Sequence, residues 1–400
     1  MPLVRRVQMD KVGSQRAPRR RVASGSFSVA GQIRRHLTEL TAMSLLVLPL
    51  FLGAVTVSPS SASATGRTAV RSDARIPQIM PTGLLERARP KGSTVQQGIN
   101  FAGWSKDAFS SSAATSSLQA LAATGATWVS VVVEQYQETI ASTNIFPTAR
   151  TVSDAGIASI VEQAHALHLN VVLKPQIDVL SGAFRGTIGE TFTPDQWSAW
   201  FVSYRRFISH YATLAQHLGV EQFVVGTELT EASQHAPEWK SLISTIRSKY
   251  SGPLTYAANY GSEVEDITWW NDLNYIGVDA YYPLDSSEPD YGWSPYLQQL
   301  AALAKQWGKP ILLTEIGYRS VVGAMSQPWN YALAGPVDTQ TQSSAYAAAF
   351  RAFASKRWFA GMYWWAWSPQ LPNGPTDDGY SPQNKPAEKQ LLAWYGGRRT

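Results

Sequence analysis

Eight short runs of apolar and β-branched residues, separated by longer stretches with helical periodicity, occupy the chain from Gly98 onward. Strands that alternate with helices in this way are typical of repeated βα units and a parallel sheet. The strands are predicted near residues 98–104, 128–134, 170–178, 222–228, 254–259, 275–282, 310–317 and 359–367. Eight such units over about 300 residues fit the usual size of a single α/β domain folded as a (β/α)8 TIM barrel.

Helices are predicted between these strands, near residues 113–124, 154–168, 195–217, 237–250, 295–307 and 341–355. The third begins at Thr193-Pro194-Asp195, which places proline in the first helical turn. The fifth unit is expected to contain only a short helix within residues 265–273. A doubly wound open sheet is the alternative, but Trp104-Ser105-Lys106 stands after the first strand, where that fold would carry a glycine-rich phosphate turn.

Basic residues are concentrated in the first 64 residues, which contain nine Lys/Arg and two Asp/Glu. Of the 34 basic and 29 acidic residues in the chain, 25 and 27 therefore lie after residue 64, a net charge of −2. A domain without excess positive charge has no electrostatic basis for binding a phosphate backbone, so we expect no nucleic-acid partner.

The same N-terminal segment has the order of a signal peptide, with an arginine-rich start, an apolar run over residues 42–57 and then Ala62-Ser63-Ala64. The apolar run is shorter than the ~20 residues of a membrane-spanning helix. We expect residues 1–64 to be removed and the protein to be secreted; the alternative is an uncleaved leader that anchors it to the membrane, facing outside. Residues 65–95 are predicted to be a poorly ordered linker. Residues 96–400 then form one catalytic domain, which we expect to be monomeric.

The chain contains no cysteine, which excludes disulfides and thiolate metal sites. Its histidines and carboxylates show no metal-ligand spacing, and it has no phosphate-binding loop. We therefore expect no metal and no cofactor.

Two glutamates stand at the ends of predicted strands, Glu228 after the fourth and Glu315 in the seventh. Catalytic groups of a parallel barrel lie at the carboxyl ends of its strands, and strands four and seven face each other across the barrel mouth. Glycoside hydrolysis with retention needs two carboxyls about 5–5.5 Å apart, one protonated and one ionised. Either glutamate alone has a second interpretation, a structural salt bridge to a lysine or arginine of the barrel.

The sequence resembles the clan of retaining glycosidases that carries its acid/base after strand four and its nucleophile on strand seven, and within it glycoside hydrolase family 113, known for β-1,4-mannanases. The resemblance implies that Glu228 is the acid/base, that Glu315 is the nucleophile and that Arg185 and Asn259 contact the substrate. It departs from the pattern at Thr227, where many clan members have Asn, and at Gln176, where His is expected. The stretches that carry it are Gly98-Ile99-Asn100-Phe101, Val172-Leu173-Lys174-Pro175, Phe184-Arg185-Gly186, Gly226-Thr227-Glu228-Leu229, Thr255-Tyr256-Ala257-Ala258-Asn259, Gly277-Val278-Asp279-Ala280-Tyr281-Tyr282-Pro283, Thr314-Glu315-Ile316-Gly317 and Tyr363-Trp364-Trp365.

Polar residues near the ends of strands three and six are candidates for positioning the nucleophile and the sugar. Either Tyr281 or Tyr282 is expected to donate a hydrogen bond to the nucleophile, and the sequence does not decide which. Lys174, Gln176 and Asp178 share one face of the third strand and are predicted to contact sugar hydroxyls. An internal ion pair between Lys174 and Asp178 is the alternative.

Tryptophans end the first and last strands, where indole rings can stack on the C–H faces of sugars. Trp365 is predicted to lie under the cleaved sugar, and Trp104 to line the same cleft. These residues predict a retaining glycoside hydrolase that acts on a polysaccharide or oligosaccharide. The resemblance to family 113 implies mannan or glucomannan as the substrate and endo-β-1,4-mannanase activity. Two alternatives are a retaining glycosidase for another β-glycan and a non-catalytic carbohydrate-binding or particle-associated barrel.

Overall fold

The computed structural model describes residues 95–370, 374 and 376–396. Eight parallel strands form a closed barrel in sequence order, and β8 closes it by pairing with β1. The strands are β1 (Gln96–Ala102), β2 (Trp128–Gln137), β3 (Asn170–Val179), β4 (Gln222–Thr227), β5 (Leu254–Asn259), β6 (Ile276–Asp279), β7 (Ile311–Ile316) and β8 (Phe359–Trp367). The predicted (β/α)8 barrel is confirmed, and the closure of β8 onto β1 excludes an open doubly wound sheet.

Helices follow the strands, and each of the six predicted ones is present with its ends shifted by at most a few residues. Within the described residues they are α1 (Ser112–Ala123), α2 (Asp154–Ala166), α3 (Pro194–His217), α4 (Thr230–Ser233), α5 (Ala236–Arg247), α6 (Ser262–Asp266), α7 (Pro289–Gly292), α8 (Ser294–Trp307), α9 (Thr339–Phe353) and α10 (Pro386–Tyr395). Single 3-10 turns occupy Arg185–Thr187 and Trp270–Asp272. The N-terminus of α3 forms a capping box between Thr193 and Gln196, which explains why this helix begins where the sequence predicts.

The helices α4, α7 and α10 were not predicted, and two predicted elements differ from the structure. The fifth unit contains α6 followed by a 3-10 turn instead of one helix over residues 265–273. The strand predicted over residues 275–282 ends at Asp279, because the backbone N–H of Tyr281 turns back to the carbonyl of Asp279 and leaves the ladder. The side chains of Tyr281 and Tyr282 therefore follow a turn and not the alternation of a strand.

Toward the amino ends of the strands, a small apolar cluster fills the interior of the barrel: Val172, Val224, Ala257, Leu312 and Tyr363. On β3, Lys174 lies two residues after Val172 and so faces the interior one layer nearer the carboxyl ends of the strands. A much larger apolar core lies between the strands and the surrounding helices. The barrel interior therefore changes from apolar to charged toward the end where parallel barrels carry their active sites.

The leader at residues 1–64 lies outside the described residues, as does the linker at residues 65–95 except for Val95. In the part of the chain that is described, no helix is both long enough and apolar enough to cross a bilayer.

Candidate active site

Glu228 directly follows β4 and adopts a left-handed backbone conformation, with φ of +51°. This conformation costs a residue other than glycine on the order of 1–2 kcal/mol and persists only where neighbouring contacts enforce it. The N–H of Glu228 donates to the carbonyl of Ala257 at 2.8 Å, and the N–H of Leu229 donates to the hydroxyl of Tyr256 at 2.8 Å. Hydrogen bonds from β5 thus hold the turn that presents Glu228.

Glu263, in α6, stabilises this turn through hydrogen bonds and was not among the predicted site residues. Its Oε1 accepts a 2.6 Å hydrogen bond from Tyr256, and its Oε2 accepts from the N–H of Asn259 at 2.7 Å and from Thr230 Oγ1 at 3.2 Å. Burial raises the pKa of Glu263 to about 7 although all three donors oppose the shift. An acidic residue at the start of a short helix usually interacts with that helix terminus, so nothing in the sequence indicated this role.

Glu315 lies on β7, with donors on both of its carboxylate oxygens. Lys174 Nζ is 2.5 Å from Oε1, and the hydroxyl of Tyr281 donates to Oε2 at 2.6 Å. The side chain of Glu315 is 8% exposed, so it still reaches the barrel mouth. The three residues come from β7, from β3 and from the turn after β6, and together they fix the orientation of the carboxylate.

Asp279, at the end of β6, shares Lys174 with Glu315 and was not among the predicted site residues. Lys174 Nζ lies 3.2 Å from both oxygens of Asp279, and Thr314 Oγ1 donates to Oδ1 at 2.7 Å. Burial alone would lower the pKa of Lys174, but the negative charges of Asp279 and Glu315 outweigh it and raise the pKa. The structural salt bridge considered for Glu315 is therefore present, and Lys174 pairs with Asp279 and Glu315 instead of Asp178.

Glu228 has a different electrostatic environment. Burial raises the pKa of Glu228 to about 7; the charge of Glu315 adds to this shift, while the cations Arg185 and Lys174 oppose it. Glu228 and Glu315 both stand at the carboxyl ends of barrel strands, close enough for the charge of Glu315 to act on Glu228. The pKa of one carboxyl is raised to near neutral, while the other carboxyl accepts hydrogen bonds from a cation and a phenol.

Arg185 lowers the pKa of Glu228 by its charge and also contacts two further carboxylates. Its Nη2 lies 3.7 Å from Asp178 Oδ1 and 3.9 Å from Glu134 Oε1. Glu134, on β2, also accepts hydrogen bonds from Gln176 at 2.5 Å and from Tyr136 at 2.8 Å. Gln176, Asp178 and Arg185 thus lie together: the unpredicted Glu134 contacts Gln176 and Arg185, and Arg185 also contacts Asp178.

Trp104 and Trp365 form the aromatic edge of the site beside β1 and β8. Their ring centroids are 6.3 Å apart in an edge-to-face arrangement, and Trp104 is 48% exposed. At the end of β7, the Cα of Gly317 approaches the Trp365 carbonyl so closely that a Cβ there would lie 2.6 Å from the oxygen. Glycine at this position lets the backbone of Trp365 pass directly beside the strand that carries Glu315.

The sequence profile of Glycoside Hydrolase Family 113 matches residues 100–385, which cover most of the barrel and contain every residue of the candidate site described above. The chain belongs to glycoside hydrolase family 113. It is therefore a glycoside hydrolase, and the predicted resemblance is confirmed.

Solved structures of family 113 members are similar to this chain over most of its length. A β-mannanase from Alicyclobacillus acidocaldarius in complex with ManMIm is 32% identical, with a TM-score of 0.71 over 76% of this chain and 98% of that chain. A β-1,4-mannanase solved as a complex is 29% identical, with a TM-score of 0.71 over 76% of this chain and 99% of that chain. A β-glucuronidase from Faecalibacterium prausnitzii, 13% identical with a TM-score of 0.51 over 76% of this chain and 49% of that chain, shares the fold alone. A search of curated protein sequences finds no significant match.

Besides Lys174 and Tyr281, two of the predicted substrate-binding residues, Tyr282 and Asn259, have other contacts in this family 113 barrel. Tyr282 stacks on Tyr296 with ring centroids 4.3 Å apart, and Tyr281 is the tyrosine that reaches Glu315. Asn259 donates its backbone N–H to Glu263 and has a half-buried side chain.

Among the described residues, no group of three or more histidines, aspartates and glutamates has the arrangement of a metal site.

Proposed function

We propose that this glycoside hydrolase is a retaining endo-β-1,4-mannanase that cleaves mannan or glucomannan by double displacement. Glu228 acts as general acid and then general base, and Glu315 acts as nucleophile. The observation that carries the proposal is the opposite environment of the two carboxyls. Glu228 has its pKa raised to about 7, whereas Glu315 receives hydrogen bonds from Lys174 and Tyr281.

Retention requires one carboxyl that can give a proton and one that carries charge. In the first step, Glu315 attacks the anomeric carbon, the glycosidic C–O bond breaks, and Glu228 gives its proton to the leaving oxygen. In the second step, Glu228 takes a proton from water, the water oxygen attacks the same carbon, and the bond to Glu315 breaks. A lysine and a phenol on Glu315 suit this cycle because they stabilise the carboxylate before attack and after release.

The remaining predicted site residues have positions that suit sugar binding. Trp365, with Trp104 beside it, offers an aromatic surface at the β8 side of the mouth. Gln176, Asp178 and Arg185 form a polar group on the β3 side, where sugar hydroxyls need donors and acceptors. The β-1,4-mannanase names of the similar solved structures support mannan as the substrate.

Two variants treated with azide test both carboxyl roles at once. Glu315→Ala should lose about two to four orders of magnitude in kcat. With azide it should yield an α-mannosyl azide, because the anion enters the space of the missing nucleophile. Glu228→Ala, assayed on an aryl β-mannoside with an activated leaving group, should yield a β-mannosyl azide, because azide then attacks the α-linked glycosyl-enzyme.

The same chemistry fixes the outcomes that contradict the proposal. A β-mannosyl azide from Glu315→Ala together with an α-mannosyl azide from Glu228→Ala would show that the two roles are reversed. The absence of azide products from both variants would contradict both catalytic roles. An α anomer among the earliest wild-type products, followed by NMR, would exclude retention. A polysaccharide panel on the full-length chain tests the substrate: hydrolysis of another β-glycan without hydrolysis of mannan or glucomannan would overturn that part alone.

A further inference from the structure

A second pair of aromatic side chains lies at the barrel mouth, in loops that no step above uses. Tyr260 follows the last residue of β5, and Trp329 lies in the loop of residues 317–338 between β7 and α9. Their rings are stacked, with centroids 5.8 Å apart and planes inclined by 27°. Both side chains are half-buried, so each retains surface that faces solvent.

The loop that carries Trp329 is tied to the catalytic centre. The hydroxyl of Tyr380 donates to the carbonyl of Pro328 at 2.6 Å, and the ring of Tyr380 meets the ring of Tyr281 edge-on at 6.3 Å. Arg319 braces the other part of the loop through the carbonyl of Tyr331 at 2.9 Å. Trp329 therefore directly follows a residue that is bound by Tyr380, and Tyr380 in turn contacts Tyr281, which donates a hydrogen bond to Glu315.

Tyr260 places the pair on the Glu228 side of the mouth. Tyr260 directly follows β5, which pairs with β4, the strand before Glu228, and its ring packs edge-on against Tyr282 at 5.4 Å. Burial raises the pKa of the Tyr260 phenol, and the charge of Glu228 adds to the shift. The pair of Trp104 and Trp365 belongs to β1 and β8 instead. The site thus has one aromatic pair beside β8 and another beside the glutamate after β4.

We propose that Tyr260 and Trp329 form the subsite that binds the sugar of the leaving group. This inference rests on the proposed function, since the leaving oxygen must lie next to the acid Glu228 to receive its proton. A pyranose attached to that oxygen would meet the Tyr260–Trp329 pair and stack its C–H face there. Sugars bound on both sides of the cleaved bond are what internal cleavage of a polysaccharide needs, so this pair accounts for endo action.

The test compares two substrates that differ in their leaving groups. β-1,4-Mannohexaose has sugars on both sides of the cleaved bond, whereas 2,4-dinitrophenyl β-mannobioside has an aryl leaving group that needs neither a sugar subsite nor protonation. In the full-length chain, Trp329→Ala should lower kcat/KM for mannohexaose by a factor about tenfold larger than for the aryl substrate. Tyr260→Ala should have the same selective effect, and Trp329→Phe should recover part of it.

A second readout is the position of cleavage. With mannohexaose labelled with ¹⁸O at its reducing end, weaker binding of the leaving-group sugars should move cleavage by Trp329→Ala toward that end. Tyr291→Ala is the control, because Tyr291 is 74% exposed on α7 and lies outside both aromatic pairs; its cleavage pattern should match the wild type.

Failure of this inference is distinguishable from failure of the proposed function. Wild-type hydrolysis of mannohexaose, combined with equal losses on both substrates or an unchanged cleavage pattern in Trp329→Ala and Tyr260→Ala, would overturn the subsite alone. Aryl mannoside hydrolysis by the wild type without cleavage of mannohexaose would overturn the mannanase proposal and the subsite with it. Activity on the aryl substrate also shows that each variant is folded.

Discussion

Tyr281 donates its hydroxyl to Oε2 of Glu315 at 2.6 Å, on the opposite side of the carboxylate from the lysine at Oε1. The adjacent Tyr282 faces away and stacks on Tyr296, and no hydrogen-bond partner of its hydroxyl is present in the described part of the chain. Two neighbouring tyrosines thus have separate contacts, one with the carboxylate of Glu315 and one in the packing of the loop after β6.

We predict that Tyr281→Phe lowers kcat/KM by about 10- to 100-fold, because a hydrogen bond to a charged group contributes about 1.5–3 kcal/mol. The measurement is steady-state kinetics on a β-mannan oligosaccharide. Tyr282→Phe is the matched control and should retain near-wild-type kinetics, since it removes only an unpartnered hydroxyl. Equal losses in the two variants would show that Tyr281 acts through packing and not through Glu315.

The sequence was sufficient to predict the barrel, the strand that precedes Glu228 and the strand that carries Glu315, because these depend on periodic apolar runs. It could not choose between Tyr281 and Tyr282, since β6 ends at Asp279 and alternation stops there. The alternative pair of Lys174 with Asp178 was wrong for a geometric reason. Residues four apart on a strand are about 13 Å apart, so Lys174 reaches Asp279 and Glu315 on other strands instead.

Glu134 and Asp279 were missed because their roles depend on partners distant in sequence. Gln176 lies 42 residues from Glu134, and Lys174 lies 105 residues from Asp279. Asp279 stood within a stretch that resembles family 113, and an aspartate inside a predicted barrel strand was a usable signal for it. Glu134 ended a predicted strand and offered a similar signal. Only Glu263 had no such signal.

The pKa of Glu228 predicts the pH dependence of the first chemical step. The acid form of Glu228 must donate the proton, so kcat/KM should fall as the pH rises through about 7. Arg185 lowers the pKa of Glu228 by its positive charge, and Arg185→Met should therefore move this alkaline limb to higher pH. A limb that stays in place or moves to lower pH in the variant would contradict this assignment.

The control for Arg185→Met is a change of arginine on the outside of the barrel. Arg205, in α3, bonds Thr245 of α5 and is not among the charges that shift the pKa of Glu228. Arg205→Met should leave the alkaline limb where the wild type has it. The position of the limb is compared, and not the absolute rate, because Arg185 is also expected to contact the substrate.

We propose that the protein is secreted and that its leader is cleaved after Ala64, on the sequence of residues 1–64. Expression in a secreting host should give a mature N-terminus at Thr65, measured by intact mass and N-terminal sequencing of the medium. Ala64→Tyr should block cleavage, because signal peptidase requires a small residue there. Wild-type protein found in the membrane fraction with its leader intact would favour the anchored alternative.

Tyr256 connects the strained backbone after β4 to Glu263, so Tyr256→Phe should lower both stability and turnover. The variant leaves the N–H of Leu229 and Oε1 of Glu263 without their partner, at a cost of about 1–3 kcal/mol in the free energy of unfolding. Because Glu228 precedes Leu229, we expect kcat to fall more than KM rises. Tyr204→Phe is the control: its hydroxyl bonds the carbonyl of Val225, so it should lose stability in urea unfolding but keep its kcat. A parallel loss of kcat in both variants would assign the effect to β4 as a whole.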